Sequence, residues 1–322
     1  MVTNQIIAQF NAREIPGYAS ESRWNASDGW SIRRIDFPAY RGASDSNRGS
    51  LLFLPGRGDH YEKYLGSLDY WANRGWNVTS IDWRGQGQSG RMLDDQYIGH
   101  IDDFSTWIAD FELFYGKWVR ENAAPHVIVA HSMGGHLLMR ALAEKKIAPD
   151  AAVFSAPMLG LVGIPLAITG GYAKLMEAIG KGEQAAWKES EKPMTGIKAR
   201  EKLLTHDPVR YADELAWWEI RPDVKLGPPS WHWVDRAVAS IRKLDAPGVI
   251  EAIETPVFMI ATSVDQLVSP AAITTYCKRL PHAELLMFGK EAAHELLREA
   301  DPVRDKCLSA IDAFLDRAAP AI

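Results

Sequence analysis

The sequence predicts an α/β fold in which helices flank a mostly parallel central sheet. The chain has 322 residues, enough for one large domain or two moderate ones. Short apolar runs typical of strands alternate with helical patterns, and this alternation favours a parallel sheet. The predicted strands are 51–54, 76–83, 126–130, 151–155, 256–262 and 284–288.

Two helices are predicted from the spacing of apolar residues. The first runs from about Asp103 to Arg120, and its apolar residues recur at steps of three and four, which places them on one face. They are Phe104, Trp107, Ile108, Phe111, Phe114, Tyr115 and Trp118. The second helix begins directly after Ser132, and its apolar side is expected to face the sheet.

The strand pattern stops between Ala156 and about Leu244 and resumes afterwards. This stretch contains Lys- and Glu-rich helical patterns and several tryptophans. Because sheet-type runs follow it, we interpret it as an insertion and not as an independent domain. The sequence therefore predicts a core made of 1–156 and 245–322, with a helical cap at 157–244.

Composition and charge narrow the classes of partner. Lys and Arg number 36 against 41 Asp and Glu, a net charge of −5 without a basic run, so no nucleic-acid partner is expected. The uncharged stretch Ala151–Ala173 has the length of a membrane span, but its prolines and glycines favour a strand followed by an apolar loop or helix.

The two cysteines, Cys277 and Cys307, are too few for a disulfide framework and lack the paired spacing of a zinc site. They fit a reducing compartment, and the polar N-terminus does not resemble a secretory signal. A cytoplasmic location is expected, with peripheral contact to the inner face of the membrane left open.

The most specific motif is Ala-His-Ser-Met-Gly-Gly at 130–135, between a predicted strand and a predicted helix. A serine on so tight a turn has its Oγ exposed above the sheet, the arrangement called a nucleophile elbow. The residues two before and two after the serine approach each other closely, so both must be small. Here they are Ala130 and Gly134, and Ala130 departs from the usual glycine.

A serine hydroxyl needs a general base, and the base needs an acceptor that orients it. In elbow folds the chain order is serine, acid, histidine. Asp265 follows the strand 256–262 and His294 lies in the loop after 284–288, so both stand where this order requires them. Ser132, Asp265 and His294 are the predicted catalytic residues. The alternatives are that Asp265 caps a helix near Pro270 and that His294 is a surface histidine.

The oxyanion of a tetrahedral intermediate needs hydrogen-bond donors. The backbone N–H of Met133 lies at the start of a helix, where the helix dipole adds positive potential. The N–H of Arg57, in the glycine-rich loop after strand 51–54, is the second candidate, unless that loop is only a glycine turn.

A second glycine motif, Gly85–Gly90, has the spacing of a dinucleotide-binding fingerprint. That fingerprint requires a helix to begin at the glycines, whereas the following residues, 91–95, carry acidic charge and no helical start. The stretch Glu291–Glu295 likewise lacks a second histidine at helical spacing. No cofactor or metal is expected.

Together, residues 82–90, 131–135 and 265–270 resemble the α/β-hydrolase superfamily, and specifically its monoacylglycerol lipase and bacterial lysophospholipase L2 branch. The resemblance covers about residues 30–316. It implies the α/β-hydrolase fold, Ser132, Asp265 and His294 as nucleophile, acid and base, and backbone donors at Arg57 and Met133. This chain has Pro-Gly at 55–56, where monoacylglycerol lipases usually have His-Gly.

The expected function is cleavage of carboxylic esters through an acyl-enzyme. The favoured substrate is a monoacyl lipid, either a lysophospholipid or a monoglyceride. The apolar part of the insertion is expected to line the acyl pocket, since such pockets are mostly apolar. The candidate substrate-binding residues are Met158, Leu159, Leu161, Trp217 and Trp218.

Two other functions stay open. A peptidase acting on an N-terminal residue would use the same three residues and hold the substrate amine with acidic groups of the cap, for which Glu214 and Glu219 are candidates. A ligand-binding scaffold without catalysis would normally lack one of the three. Contact of the cap with a membrane and the oligomeric state are not fixed by the sequence.

Overall fold

One eight-stranded sheet organises the computed structural model, which describes residues 10–40, 48–163, 166–187 and 197–321. The strands are β1 (Ser20–Asn25), β2 (Ser31–Phe37), β3 (Gly49–Leu54), β4 (Trp76–Ile81), β5 (His126–His131), β6 (Ala151–Ser155), β7 (Val257–Thr262) and β8 (Ala283–Phe288). Their spatial order is β1-β2-β4-β3-β5-β6-β7-β8. The pairs β1–β2 and β2–β4 are antiparallel, and all the others are parallel.

Helices connect the parallel strands and cover the sheet. They are α1 (Leu65–Ala72), α2 (Phe104–Glu121), α3 (Ser132–Ala143), α4 (Leu166–Ala178), α5 (Ile197–Leu204), α6 (Pro208–Ile220), α7 (Trp231–Asp245), α8 (Pro270–Arg279) and α9 (Asp301–Ala318). The predicted apolar face of α2 is buried, and Asp103 caps this helix by accepting a hydrogen bond from the N–H of Ser105. The predicted α/β fold with a mostly parallel sheet is confirmed.

The six predicted strands correspond to β3 to β8, whereas β1 and β2 were not predicted. β1 is an edge strand, and five of its six residues are exposed, so it lacks the apolar pattern of a buried strand. β2 alternates in burial but carries two arginines, and the side chain of Arg33 is buried in ion pairs with Glu62 and Asp82. Neither strand therefore shows the apolar run from which the other six strands were predicted.

Four helices, α4 to α7, lie between β6 and β7, where the sequence predicts the cap. The domain boundaries themselves remain a prediction, and residues 1–9, 41–47, 164–165, 188–196 and 322 of the predicted units lie outside the described residues. The uncharged stretch Ala151–Ala173 contains β6 and the first half of α4. Within the described residues, no helix combines the length and the apolar character that crossing a membrane requires.

The parallel strands all end at one edge of the sheet, and this brings distant loops together. β3 and β5 are neighbours, as are β7 and β8. The loop that follows β3 therefore meets the turn after β5, and the loops after β7 and β8 lie side by side. These four loops carry every residue that was predicted for catalysis.

Candidate active site

Ser132 occupies a strained turn between β5 and α3. Its φ angle is 49°, in the left-handed region that non-glycine residues seldom adopt. A Cβ atom at Gly134 would lie 2.4 Å from the carbonyl oxygen of Pro55, so only glycine fits there. Ala130 is fully buried, and the structure accommodates its methyl group. These are the steric features of a nucleophile elbow.

Asp265 lies in the loop after β7 and its side chain points at His294. Its Oδ2 is 2.7 Å from Nδ1 of His294, while Oδ1 accepts hydrogen bonds from the N–H groups of Leu267 and Val268 at 2.8 and 3.0 Å. The N-cap of the following helix is Ser269, whose Oγ accepts from the N–H of Ala272. Asp265 is therefore the acceptor for the histidine and not the cap of α8.

His294 completes a hydrogen-bonded chain. Its Nε2 is 3.0 Å from Oγ of Ser132, and the residue is only 4% exposed. With the proton on Nδ1 donated to Asp265, Nε2 is left as the acceptor for the serine hydroxyl. The structure thus brings Ser132, His294 and Asp265 together as the order along the chain predicted, and His294 is not a surface histidine.

The charges around His294 favour its protonated form. Burial lowers the pKa of His294, but Asp265 and the nearby carboxylates of Glu295 and Asp59 outweigh it, so the pKa is raised above its ordinary value. Burial likewise opposes ionisation of Asp265, yet its bonds to His294 and to two backbone N–H groups hold its pKa below the usual value. Burial and the neighbouring His294 lower the pKa of His131 to about 4.

The insertion supports the histidine loop through backbone hydrogen bonds. The N–H of His294 donates to the carbonyl of Leu203 at 3.3 Å, and the N–H of Glu295 donates to that of Leu204 at 2.8 Å. Both acceptors lie at the end of α5. Next to them, Oε1 of Glu299 accepts from the N–H of Ala293 at 2.6 Å. The loop that carries His294 is therefore bound to the insertion as well as to the core.

A buried charge cluster lies behind the histidine, with Lys63 at its centre. Nζ of Lys63 binds Asp59, lies 2.7 Å from Oε1 of Glu295 and is 3.4 Å from Oε1 of Glu214. Glu214 also pairs with Arg200 and Arg298. We call these six residues the Lys63 cluster. The cluster was not predicted, because its members lie in three segments, 59–63, 200–214 and 295–298, that are far apart along the chain.

An apolar cavity of about 330 Å³ opens in front of Ser132. Its polar wall includes Arg57, His131 and Gln266 beside Ser132 and His294. Its apolar wall consists of Met158, Leu161, Val162, Trp187, Leu204, Trp233, Val234, Leu267 and Val268. The volume lies at the lower end of the range typical of small-molecule sites.

The predicted substrate-binding residues divide into two groups. Met158 and Leu161 line the cavity, whereas Leu159 is buried in the core. Trp217 and Trp218 lie away from the wall: Nε1 of Trp217 donates to the carbonyl of Ala12, and the ring of Trp218 packs near cationic side chains. The interpretation of these two tryptophans as acyl-pocket residues is corrected accordingly. Trp187 and Trp233 occupy the wall instead.

A mostly parallel sheet with a strained serine after β5, an acid after β7 and a histidine after β8 defines an α/β-hydrolase. A family model described as serine aminopeptidase, S33 matches residues 45–301. The chain belongs to that family.

Relatives and solved structures agree with this assignment. Lysophospholipase L2 of Escherichia coli (strain K12) is 28% identical over 284 residues, covering 83% of this chain and 80% of that protein. The probable lysophospholipase L2 of Haemophilus influenzae is 25% identical, covering 83% of each chain. A soluble variant of monoglyceride lipase from Saccharomyces cerevisiae has a similar structure, with a TM-score of 0.76, 18% identity and coverage of 96% of this chain and 98% of that one.

These comparisons confirm the predicted α/β-hydrolase fold and the resemblance to monoacylglycerol lipases and lysophospholipase L2. They also confirm the predicted enzyme class, a carboxylic ester hydrolase.

The charge environment predicts how His294 titrates. By imidazole NMR we expect its pKa to lie above the ordinary value of 6.5, and to fall in Asp265→Asn because the anion that stabilises the imidazolium is lost. His131, with a pKa of about 4, should remain neutral from pH 5 upward in the same spectra. A His294 pKa that is unchanged or raised in Asp265→Asn would contradict this electrostatic assignment.

Proposed function

We propose that the protein hydrolyses carboxylic esters of monoacyl lipids, with Ser132 as nucleophile, His294 as general base and Asp265 as the group that orients the base. The observation that carries this proposal is the continuous hydrogen-bonded chain of these three residues at the wall of an apolar cavity. Lysophospholipids and monoglycerides, one acyl chain on a polar head, are the favoured substrates.

The reaction proceeds in two acyl transfers. Nε2 of His294 takes the proton of Ser132 as Oγ attacks the ester carbonyl, and the imidazolium then gives that proton to the leaving alcohol as the ester bond breaks. The acyl group is now on Ser132. A water molecule, deprotonated by His294, attacks the acyl carbon, and return of the proton to Oγ frees the fatty acid and regenerates the enzyme. Asp265 stabilises the imidazolium at both stages.

Backbone N–H groups of Arg57 and Met133 are our candidates for the oxyanion donors. Met133 is the first residue after the serine in α3, where the helix dipole favours negative charge. The loop of Arg57 packs tightly against the elbow, since a Cβ at Gly56 would lie 3.0 Å from that of Ser132. Loss of either donor should reduce kcat by about 10²–10³.

The charges of the wall favour a neutral acyl group over an aminoacyl group. Asp59 and Glu295 reach the cavity, but both bind Lys63. Glu214 is fully buried among three cations, and Glu219 is exposed and away from the wall. The carboxylates considered for an amine subsite are thus neutralised or misplaced. The aminopeptidase alternative stays relevant because the family is described as serine aminopeptidase. The tests below include an outcome that would support it.

Covalent labelling tests the nucleophile. After treatment with a fluorophosphonate, mass spectrometry should find one adduct, on Ser132, because its hydroxyl is bonded to His294 and lines the cavity, whereas Ser230 and Ser240, which also contact histidines, are buried. Ser132→Ala should remain unlabelled, and so should heat-denatured wild-type protein, in which His294 no longer meets the serine. An adduct on another residue would refute the assignment of Ser132, and the absence of any adduct on the native protein would favour a non-catalytic scaffold.

A substrate panel tests the chemical class. We expect kcat/KM to be highest for long-chain monoglycerides or lysophospholipids, lower for a short-chain ester and lowest for an aminoacyl anilide, because the apolar wall stabilises an acyl chain. The two lipid classes are compared at matched chain length to identify the head group. Preference for the anilide would overturn the ester assignment, and preference for the short-chain ester would overturn the lipid assignment.

We also propose that the insertion adsorbs to the inner face of the membrane. Ile168, Tyr172, Leu175 and Ile179 recur at steps of four, three and four along α4 and its end, and each is 50–61% exposed. Such a stripe on one face of a helix is typical of an interfacial helix. Val162, just before α4, is 45% exposed and belongs to the cavity wall, so the stripe borders the route to the serine.

Vesicle co-sedimentation tests this contact. The variant Ile168→Asp with Leu175→Asp should bind phosphatidylcholine–phosphatidylglycerol vesicles at least about tenfold more weakly, because each apolar side chain contributes roughly 1.5–3 kcal/mol when buried. Leu113→Asp, at an exposed leucine of α2, is the matched control and should bind like wild type. Equal binding by the stripe variant and the control would contradict the proposed contact.

A further inference from the structure

The glycine motif 85–90 forms a tight loop after β4. Residues 84–100 consist of turns, bends and extended segments. Gly87 has a φ of 49°, and a Cβ there would lie 2.0 Å from Oδ2 of Asp82, so the loop closes directly over that carboxylate. The N–H of Gln88 donates to the same oxygen at 2.9 Å. Contacts with Asp82 thus hold the backbone of this motif in place.

Gln86, inside this loop, points toward the active site. The residue is only 3% exposed, and its backbone is fixed by hydrogen bonds with Trp83 and Ser89. Its side-chain Oε1 accepts the N–H of Gly58 at 2.6 Å. Its Nε2 donates to Sδ of Met133 at 3.8 Å. One buried amide therefore joins the loop after β3 to the first turn of α3.

The contacts of Gln86 surround the candidate oxyanion donors. The N–H of Gly56 is held by Oδ2 of Asp59 at 2.9 Å, and the N–H of Gly58 is held by Gln86. Because each peptide unit is planar, anchoring the amides on both sides of Arg57 restricts the orientation of the peptide between them. The other candidate donor belongs to Met133, whose side chain Gln86 also touches.

We infer that Gln86 is a positioning residue that sets the separation and aim of the two backbone N–H donors, Arg57 and Met133, toward the oxyanion. This inference rests on the proposed function. Oxyanion donors must lie about 2.7–3.1 Å from the oxygen as it becomes negative, and a displacement of about 1 Å can reduce the rate about 10²-fold. The Gln86 side chain, which contacts both donor segments, can therefore affect kcat without touching the substrate.

The test compares Gln86→Met with wild type on a soluble short-chain ester, with rates expressed per active site titrated by a fluorophosphonate. Methionine keeps the length of the side chain but removes the acceptor for Gly58. We expect kcat per titrated site to fall about 10- to 100-fold, KM to change less than about threefold, and the rate of phosphonylation to fall in parallel with kcat. The acid limb of the pH profile should not move, because His294 and Asp265 keep their partners.

Two further variants make the result specific. Gln96→Met is the matched control, since Gln96 is exposed and, among the described residues, its side chain bonds within its own loop, to the carbonyls of Leu93 and Asp94. Gln86→His retains a nitrogen acceptor and should keep more of kcat than Gln86→Met. If Gln86→Met does not fold, Gln86→Asn provides the same comparison, because one methylene fewer withdraws the acceptor from Gly58.

The outcomes separate this inference from the proposed function. If wild type labels on Ser132 but Gln86→Met retains kcat per site within about twofold, the positioning role is wrong and the hydrolase assignment stands. A loss confined to the fraction of titratable protein would also contradict the inference, because it indicates a purely structural role. If wild type itself neither labels nor hydrolyses esters, the proposed function fails first.

Discussion

The conformation of Ser132 is the constraint on which the site depends. A non-glycine residue at a φ of 49° is stable only where its surroundings leave no alternative. Here Gly134 packs against the carbonyl of Pro55, so the strained turn and the loop after β3 fix each other. The neighbouring positions of β3 and β5 in the sheet make this approach possible. The serine and the candidate oxyanion loop are therefore one steric unit.

The residues of the site were predictable where they follow parallel strands. Asp265 and His294 come after the last two predicted strands, and the carboxyl ends of such strands meet at one edge. The structure places both side chains at Ser132, as that argument requires. The direction in which a tryptophan side chain points could not be predicted in this way. The sequence shows that Trp217 and Trp218 are large and apolar, but the packing of α6 determines that they point away from the cavity.

Long-range charge pairing could not be predicted from the sequence, for a different reason. Lys63 and Glu295 are 232 positions apart, and nothing local to either indicates that they meet. Yet this pairing neutralises a carboxylate that lies beside His294, which fits the neutral acyl group of the proposed substrate. Removing one member would leave a buried charge without its partner, a change that typically costs about 3–5 kcal/mol. The Lys63 cluster thus joins the core, the histidine loop and the insertion.

The insertion has two different roles along its length. The end of α5 binds the histidine loop through backbone hydrogen bonds, and Glu214, in the middle of α6, pairs with Arg298. This part therefore cannot leave the site without disturbing His294. By contrast, α4 presents an exposed apolar stripe on its outer side. Under the proposed function, a lipid would enter past α4 while His294 stays in place, because the segment proposed to contact the membrane and the segment that supports His294 are separate. Such a division would keep the geometry of Ser132 and His294 independent of events at the proposed entrance.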